Sequence, residues 1–566
     1  MLVFLTLLFS ADPVVVIAPV PPAEMTVYAN DSGTFQRRND AVRVNVTTAG
    51  PNPWSVMALS PKNTGPIAKG QPLVVSIRVA GVGGPAVLSA YAESAVDGKT
   101  ASLPTTLEVG TRMRTYRRSL ESPDDFAAGE FQISVHLANR LQSLAIAEIK
   151  LEAYPVGTPF DQLGADSITW DGAEPDAPWR AAAAGRINAL RKADVSVRVV
   201  DPDGRPVEGA TVRVEQVRHA FRFGTFVGPT LIEDSEDGRR YREVVRRRYN
   251  YLTLPAYLAD WGWRDDAARQ RYFEMADWAQ KSGIPARGHL LVYPGWTATP
   301  PEWFELPKPE LRAKIDAHIP RAVRAFEDRG VTEWDVANEL RFNREFMAEI
   351  GGLTVAADWF KTARRLLPDG ELFLNETVIL IDDGRTETEQ AVLEAQLGEL
   401  LAAGAPIDGL GLQGHFGNEL TPPARVLEIL DRFAKFGLPI LITEYDMTND
   451  DKPAQAAYLR DFYTVLFSHP AVIGSIQWQF WQKDMWRPQG HHFTTDWQET
   501  EVAKAYEDLV LGEWWTDVTL ATDAEGSSTV RAFRGRQRVT VTSGEYKWSR
   551  EIDVPADGAT VEISVP

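Results

Sequence analysis

Apolar and polar positions alternate in short bursts over the first quarter of the chain, then change period. Between residues 25 and 155 the bursts include Val42-Arg43-Val44-Asn45-Val46, Leu73-Val74-Val75-Ser76-Ile77-Arg78-Val79 and Phe131-Gln132-Ile133-Ser134-Val135, separated by Gly, Pro, Asn and Asp. A period of two puts alternate side chains on one face of a strand, and turn residues at this density predict an all-β jelly-roll sandwich. Ala145-Ile146-Ala147-Glu148-Ile149-Lys150-Leu151 reads as its last strand. Residues 156–178 are rich in Pro, Gly, Asp and Ala and read as a linker; 181–192 has a helical pattern. Two alternating runs around the turn Asp201-Pro202-Asp203-Gly204 then predict a β-hairpin, so 156–216 is linker, helix and hairpin.

From 217 to 512 continuous apolar runs of strand length alternate with amphipathic helical stretches. Strands are expected to begin near Phe221, Tyr251, Ala286, Glu333, Leu372, Ile407, Ile440 and Val472, with helical patterns at 267–280, 311–327, 388–401, 425–435 and 454–466. Eight such units predict an α/β fold, a (β/α)8 TIM barrel. A doubly wound open sheet would also alternate in this way, but no Gly-rich phosphate fingerprint follows the first strand. Residues 513–566 return to period two, as in Arg538-Val539-Thr540-Val541-Thr542, and predict a small C-terminal β module.

The 566 residues suffice for several domains, and 44% hydrophobic with 24% charged residues is an ordinary globular balance. A net charge of −19 argues against nucleic acid and against an anionic membrane surface, since both require clustered Lys and Arg. With no cysteine, the chain can hold no disulfide, zinc-thiolate or thiol nucleophile. Residues 1–9 form a short apolar run that Ser10-Ala11 could end as a signal peptide, without Lys or Arg before it. A second run, 14–20, is broken by Pro19, and neither reaches the ~20 residues of a membrane span. Residues 1–24 are therefore expected to be a signal or tether, and the protein to be secreted, periplasmic or on the cell surface.

Barrels of this type carry their chemistry at the C-terminal ends of strands. Glu339 ends the fourth strand after Trp334-Asp335-Val336-Ala337-Asn338, and Glu444 ends the seventh after Ile442-Thr443. Two carboxylates brought together from separate strands, roughly 5 Å apart, are what retaining glycoside hydrolysis needs: one donates a proton, the other attacks. Asn338 could hydrogen-bond a sugar 2-OH. His415, ending the sixth strand, could donate to Glu444 while Asp446 holds its other ring nitrogen. His289 in the third strand, Gln413 beside His415, and Trp481 and Trp486 after the eighth strand complete the expected substrate contacts. Trp478 reads as deeper in that strand and as core. No metal or cofactor is required, because the two carboxylates do the acid, base and nucleophile work.

Together these motifs resemble glycoside hydrolase family 10, the endo-β-1,4-xylanase family, over roughly residues 220–510. Trp334-Asp335-Val336-Ala337-Asn338-Glu339 is similar to its acid/base strand and Ile442-Thr443-Glu444-Tyr445-Asp446 to its nucleophile strand, with Tyr445 where Leu is usual. Ile407-Asp408-Gly409-Leu410-Gly411-Leu412-Gln413-Gly414-His415, Arg287-Gly288-His289-Leu290-Leu291-Val292 and Phe373-Leu374-Asn375-Glu376 are similar to strands six, three and five, with Glu376 where Asp is usual. Phe480-Trp481 and Trp486-Arg487-Pro488 resemble the strand-eight aromatics. The resemblance implies a (β/α)8 fold, retention of configuration, Glu339 as acid/base and Glu444 as nucleophile. It implies a polysaccharide substrate, xylan or a related plant or algal β-glycan, and a monomer is expected.

The chain departs from the family at strand two, where Glu-Asn-x-x-Lys-Trp is usual and Leu254-Pro255-Ala256-Tyr257-Leu258-Ala259-Asp260-Trp261 stands. Strand three ends Tyr293-Pro294 where Trp-His is usual, and Thr377 replaces a common Tyr. A β-glycanase of different sugar specificity, or a glycan-binding protein without turnover, are the competing readings. The N-terminal sandwich, with Trp54 near its start, looks like a carbohydrate-binding module; a sandwich that only packs against its neighbour is the alternative.

Overall fold

The computed structural model describes residues 13–48, 52–84, 86–96, 105–158, 162–163, 168–257, 266–295, 299–381, 384, 386–449 and 451–566. Of the segment 1–24 expected as a signal or tether, residues 1–12 lie outside the described residues, as do residues 258–261 of the strand-two motif; residues 13–24 correct that expectation, because Val14–Ile17 is a strand whose Val16 and Ile17 enter the core of the sandwich. The chain forms two compact units, one holding residues 1–169 with 417–419 and 447–455, the other the remainder.

The first unit is a sandwich of two antiparallel sheets. One runs Gly33–Arg37, Val42–Val46, Gln142–Ala153, Pro72–Gly81, Arg114–Glu121, with Val14–Ile17 pairing the long strand Gln142–Ala153. The other runs Thr26–Ala29, Val56–Leu59, Phe131–His136, Ala86–Ser94, Thr105–Val109. Alternation does what it predicts: in Val42–Val46 the valines are buried and Arg43 and Asn45 exposed. Val44, Ile77, Leu88, Ile133 and Ile146 belong to one core between the sheets.

In the second unit the helix Pro178–Arg191 precedes two more sheets. Lys192–Val200 lies between Ser527–Phe533 and Ala559–Ser564; Thr211–His219 lies between Asp517–Ala521 and Gly535–Ser543, which pairs with Tyr546–Val554. The hairpin before the barrel and the tail after it, expected as separate pieces, therefore share one core of Val195, Val197, Val212, Val214, Val539, Val541 and Ile563.

The barrel closes from eight parallel strands: β1 (Arg222–Phe226), β2 (Tyr251–Pro255), β3 (Ala286–His289), β4 (Glu333–Asn338), β5 (Glu371–Glu376), β6 (Gly409–Phe416), β7 (Ile440–Met447) and β8 (Val472–Gln477), with β8 pairing β1. The helices Asp266–Lys281, Lys308–Glu327, Glu387–Ala402, Pro423–Ala434 and Lys452–Ser468 fall where the 3.6-residue period places them. Four more, Glu236–Arg248, Arg344–Ile350, Thr354–Leu366 and Glu501–Tyr506, lie outside those patterns. Among the described residues no helix is long and apolar enough to cross a membrane.

The barrel interior holds a chain of charges. Arg222 pairs with Glu371 at 2.9 Å and with Glu333 at 2.8 Å, and Arg287 bridges Glu333 and Asp335. Asp335 also holds His289 Nδ1 at 2.8 Å. Buried charges persist only when paired in this way.

Candidate active site

The glycines of β6 explain how the site assembles. A Cβ on Gly409 would lie 2.3 Å from the Phe373 ring, and one on Gly411 would lie 2.4 Å from Asn375 Oδ1. These two positions make room for β5 side chains inside the barrel. Asn375 uses that room: its Nδ2 donates to Glu444 Oε1 at 2.7 Å and to Asn338 Oδ1 at 2.8 Å. The Thr443 hydroxyl donates to Asn375 Oδ1 at 2.6 Å, which fixes which end of the amide faces the carboxylate. Asn375 thus ties β4, β5 and β7 together. In the sequence Asn375 is a single amide within the apolar run of β5, with nothing beside it to mark this role.

Glu444 is 4% exposed and has a second donor, His415 Nε2 at 3.0 Å. His415 Nδ1 donates to Asp446 Oδ1 at 2.9 Å, and the Trp486 indole donates to Asp446 Oδ2 at 3.0 Å. Burial pushes the imidazole down, but Asp446 and Glu444 outweigh it and hold the group raised to about 9. His415 is therefore a cation at neutral pH and stabilises negative charge on Glu444.

Glu339 lies just past the end of β4 with φ +55°, a left-handed conformation that a side chain other than glycine adopts at some cost. Two contacts hold that turn. Asn343 Nδ2 donates to the Glu339 carbonyl at 3.0 Å, and the Arg341 N–H donates to Glu376 Oε1 at 3.1 Å. The Glu339 carboxylate accepts from Gln413 Nε2 and from the Tyr293 hydroxyl, both at 2.9 Å. Burial, then Glu339, push the Tyr293 phenol up to about 12, so it remains a donor.

Both glutamates open into one cleft of about 550 Å³, whose walls include Tyr257, His289, Asn338, Gln413, His415 and Trp486. Glu339, Val378 and Gln479, three of the non-glycine residues with positive φ, also line it, which is where backbone strain concentrates in functional sites. Trp486 is 58% exposed, its ring edge-on to His415 at 5.2 Å.

Trp481 is a correction. Expected at a subsite, it is buried, stacked on Trp497 with centroids 4.5 Å apart and edge-on to Tyr241. Trp478, expected in the core, is buried as expected, and its ring also lines the cleft, between Phe226 at 4.2 Å and His289 at 5.2 Å. The strand β8 ends at Gln477, so Trp478 is the first residue past it rather than deep within it.

Two carboxylates from different strands, opening into one cleft of an eight-stranded parallel barrel, define a class: (β/α)8 proteins organised around a carboxylate pair. Within that class the chain belongs to glycosyl hydrolase family 10, whose family model matches residues 214–510. It is 30% identical over 396 residues to anti-sigma-I factor RsgI6 of Acetivibrio thermocellus, covering 68% of this chain and 50% of that protein. It is 26% identical over 390 residues to endo-1,4-beta-xylanase 2 of Arabidopsis thaliana, covering 67% of this chain and 35% of that protein. Among solved structures, xylanase 10B of Thermotoga petrophila RKU-1 in complex with xylobiose is similar at TM-score 0.45 and 25% identity, over 52% of this chain and 94% of that one. The chain spans half or less of the length of the two curated relatives.

Proposed function

We propose that this protein is a retaining glycoside hydrolase that cleaves β-1,4-xylosidic bonds in a plant or algal polysaccharide. The observation that carries the reading is the unequal setting of the two carboxylates. Glu444 accepts from Asn375 and from the cationic His415, a setting that suits a nucleophile which must stay charged. Glu339 accepts only from the neutral Gln413 and Tyr293 among the hydrogen bonds to its carboxylate described above, a setting that suits a group which gives and takes a proton.

In the first step Glu339 protonates the glycosidic oxygen as a Glu444 oxygen attacks the anomeric carbon; the C–O bond to the leaving sugar breaks and a glycosyl ester forms. In the second, Glu339 takes a proton from water, which attacks the same carbon and releases Glu444. Asn338, its Oδ1 already engaged by Asn375, has its Nδ2 left for the sugar 2-OH. Asp335 fixes the ring of His289 at the cleft wall. Xylan as substrate is supported by family membership and by the curated relatives named as xylanases. The N-terminal sandwich is read as a glycan-binding module of an exported, monomeric enzyme.

A different β-glycan is the second reading, favoured by Tyr257 and Phe226 in the cleft wall beside a strand-two segment without the usual Glu, Asn and Lys. Reducing-sugar release from xylans, mixed-linkage glucans and mannans separates the two. Xylan cleavage lost by about 10²–10⁴-fold in Glu339→Ala and to background in Glu444→Ala is the expected result. Cleavage only of another glycan moves the substrate and keeps the mechanism; no cleavage of any of them overturns both readings.

A further inference from the structure

The five-stranded sheet of the N-terminal sandwich has one face in the core and one face turned away from it. On Phe131–His136 the core takes Phe131, Ile133 and Val135, so Gln132, Ser134 and His136 belong to the other face. By the same alternation Ala90 and Ala92 are core and Tyr91 is not, and Val27 is core while Tyr28 is not. The cross-strand register puts Tyr91 opposite Ser134, and Met57 opposite both His136 and Tyr28. Trp54 reaches the same patch from the 3₁₀ turn Pro53–Ser55 that leads into Val56–Leu59.

Three features mark this patch as more than ordinary surface. First, Trp54 is 53% and Tyr28 52% exposed, on a sheet whose other large apolar side chains are mostly in the core. Second, the aromatic rings are held: His136 packs against Tyr91 at 4.3 Å with the rings tilted by 33°, and meets Trp54 at 6.2 Å and 60°. A Glu93 carboxylate oxygen lies 3.6 Å from His136 Nε2. Third, His136 is more than nine-tenths buried with Nδ1 unpaired within the protein. Buried polar atoms are rarely left so unless something else uses them. Exposed aromatic faces with polar edges bury apolar C–H surface and still accept hydroxyl hydrogen bonds, which is the chemistry of a pyranose ring.

We propose that this face, centred on Trp54, Tyr91 and His136 with Tyr28 at its margin, binds a neutral β-linked polysaccharide chain. The choice of glycan rests on the function proposed above for the barrel. The chain's net charge of −19 disfavours a polyanion. Binding here raises the local concentration of polymer for a cleft carried on the same chain, with no new contact needed at the cleft itself.

The test uses the full chain. Polymer binding is measured by affinity electrophoresis in soluble xylan, mixed-linkage glucan and mannan, in a Glu444→Gln background that blocks turnover. The substitutions compared are Trp54→Ala, Trp54→Phe and Tyr91→Ala. Hydrolysis of a short aryl xylobioside is followed in the active background. The expected result is about tenfold weaker polymer binding for Trp54→Ala, corresponding to about 1.4 kcal/mol. Trp54→Phe should recover part of the loss, and kcat and KM on the aryl glycoside should not change. Polymer binding equal in the Trp54→Ala variant and its parent overturns the site. An active enzyme whose sandwich variants bind as their parent does loses only this proposal. A chain that binds polymer through Trp54 but cleaves nothing keeps the site and loses the hydrolase reading.

Discussion

Glu376 lies fully buried beneath the turn that carries Glu339, and burial, opposed in part by the Arg341 N–H, pushes its carboxyl up to about 8. An unfolded Glu ionises near 4.5. The native state therefore holds a proton that the unfolded chain has released, and stability falls as pH rises from about 4.5 towards 8. His415 bends the curve in the same direction. Its folded value is raised from 6.5 to about 9, so its contribution is complete below 6.5 and is lost as pH rises through 9. We predict that the free energy of unfolding declines between pH 6.5 and 9; below 6.5 His219 and His318, whose values burial lowers to about 4 and about 3, give the opposite slope. In Glu376→Gln, whose amide mimics the protonated acid and still accepts from Arg341, stability at pH 8 relative to pH 5 should be higher than in the parent by a few kcal/mol. Urea denaturation at a series of pH values checks this, and equal slopes for both proteins would refute it.

At the scale of elements, the segment after β8 carries two tryptophans with opposite duties. Trp481 fills packing against Trp497 and Tyr241; Trp478 presents its ring to the cleft. Trp481→Ala should cost about 3–5 kcal/mol of stability, the usual range for emptying a buried aromatic site. Trp478→Ala empties a site nearly as buried, so it should cost stability of the same order and in addition raise KM, and steady-state kinetics on the pair separate the roles. This was the point where sequence reading failed, and the cause is physical. Alternation assigns faces only while the strand continues, and β8 stops at Gln477. The same limit hid the helix Glu236–Arg248, where Tyr241 and Val245 are the only large apolar residues buried among Arg and Glu. What declares it is its ends: Ser235 Oγ accepts from Gly238 N at 3.0 Å, acidic residues occupy the first turn and arginines the last. The barrel strands were legible because both their faces are buried, leaving continuous apolar runs. Glu339 was legible because it directly follows the apolar run of β4, and Glu444 because it breaks the apolar run of β7, which continues past it to Met447. Asn375 was not singled out, since a lone amide inside an apolar strand declares no partner until β6 and β7 are beside it.

Across the chain, pairings between distant segments decide what a truncation does. Lys192–Val200 and Thr211–His219 precede the barrel, yet their sheet neighbours lie more than 300 residues later, at 517–564. No local pattern encodes such a pairing; each half shows only alternation and an apolar face in need of a cover. Removing residues 517–566 would strip Val539, Val541, Val554 and Ile563 from that core and leave Val195, Val197, Val212 and Val214 facing water on open strand edges. Exposed, flat, valine-rich edges are templates for aggregation. The truncated chain should therefore be recovered mostly insoluble although it retains all of residues 214–510, the family-matched segment. Because a deletion removes many interactions at once, Val541→Asp is the sharper variant. It buries one unpaired carboxylate in the same core, and it should lower the melting temperature by several degrees or more while leaving kcat per folded molecule unchanged. Full solubility of the truncation together with an unshifted melt of Val541→Asp would show that the barrel stands without these strands.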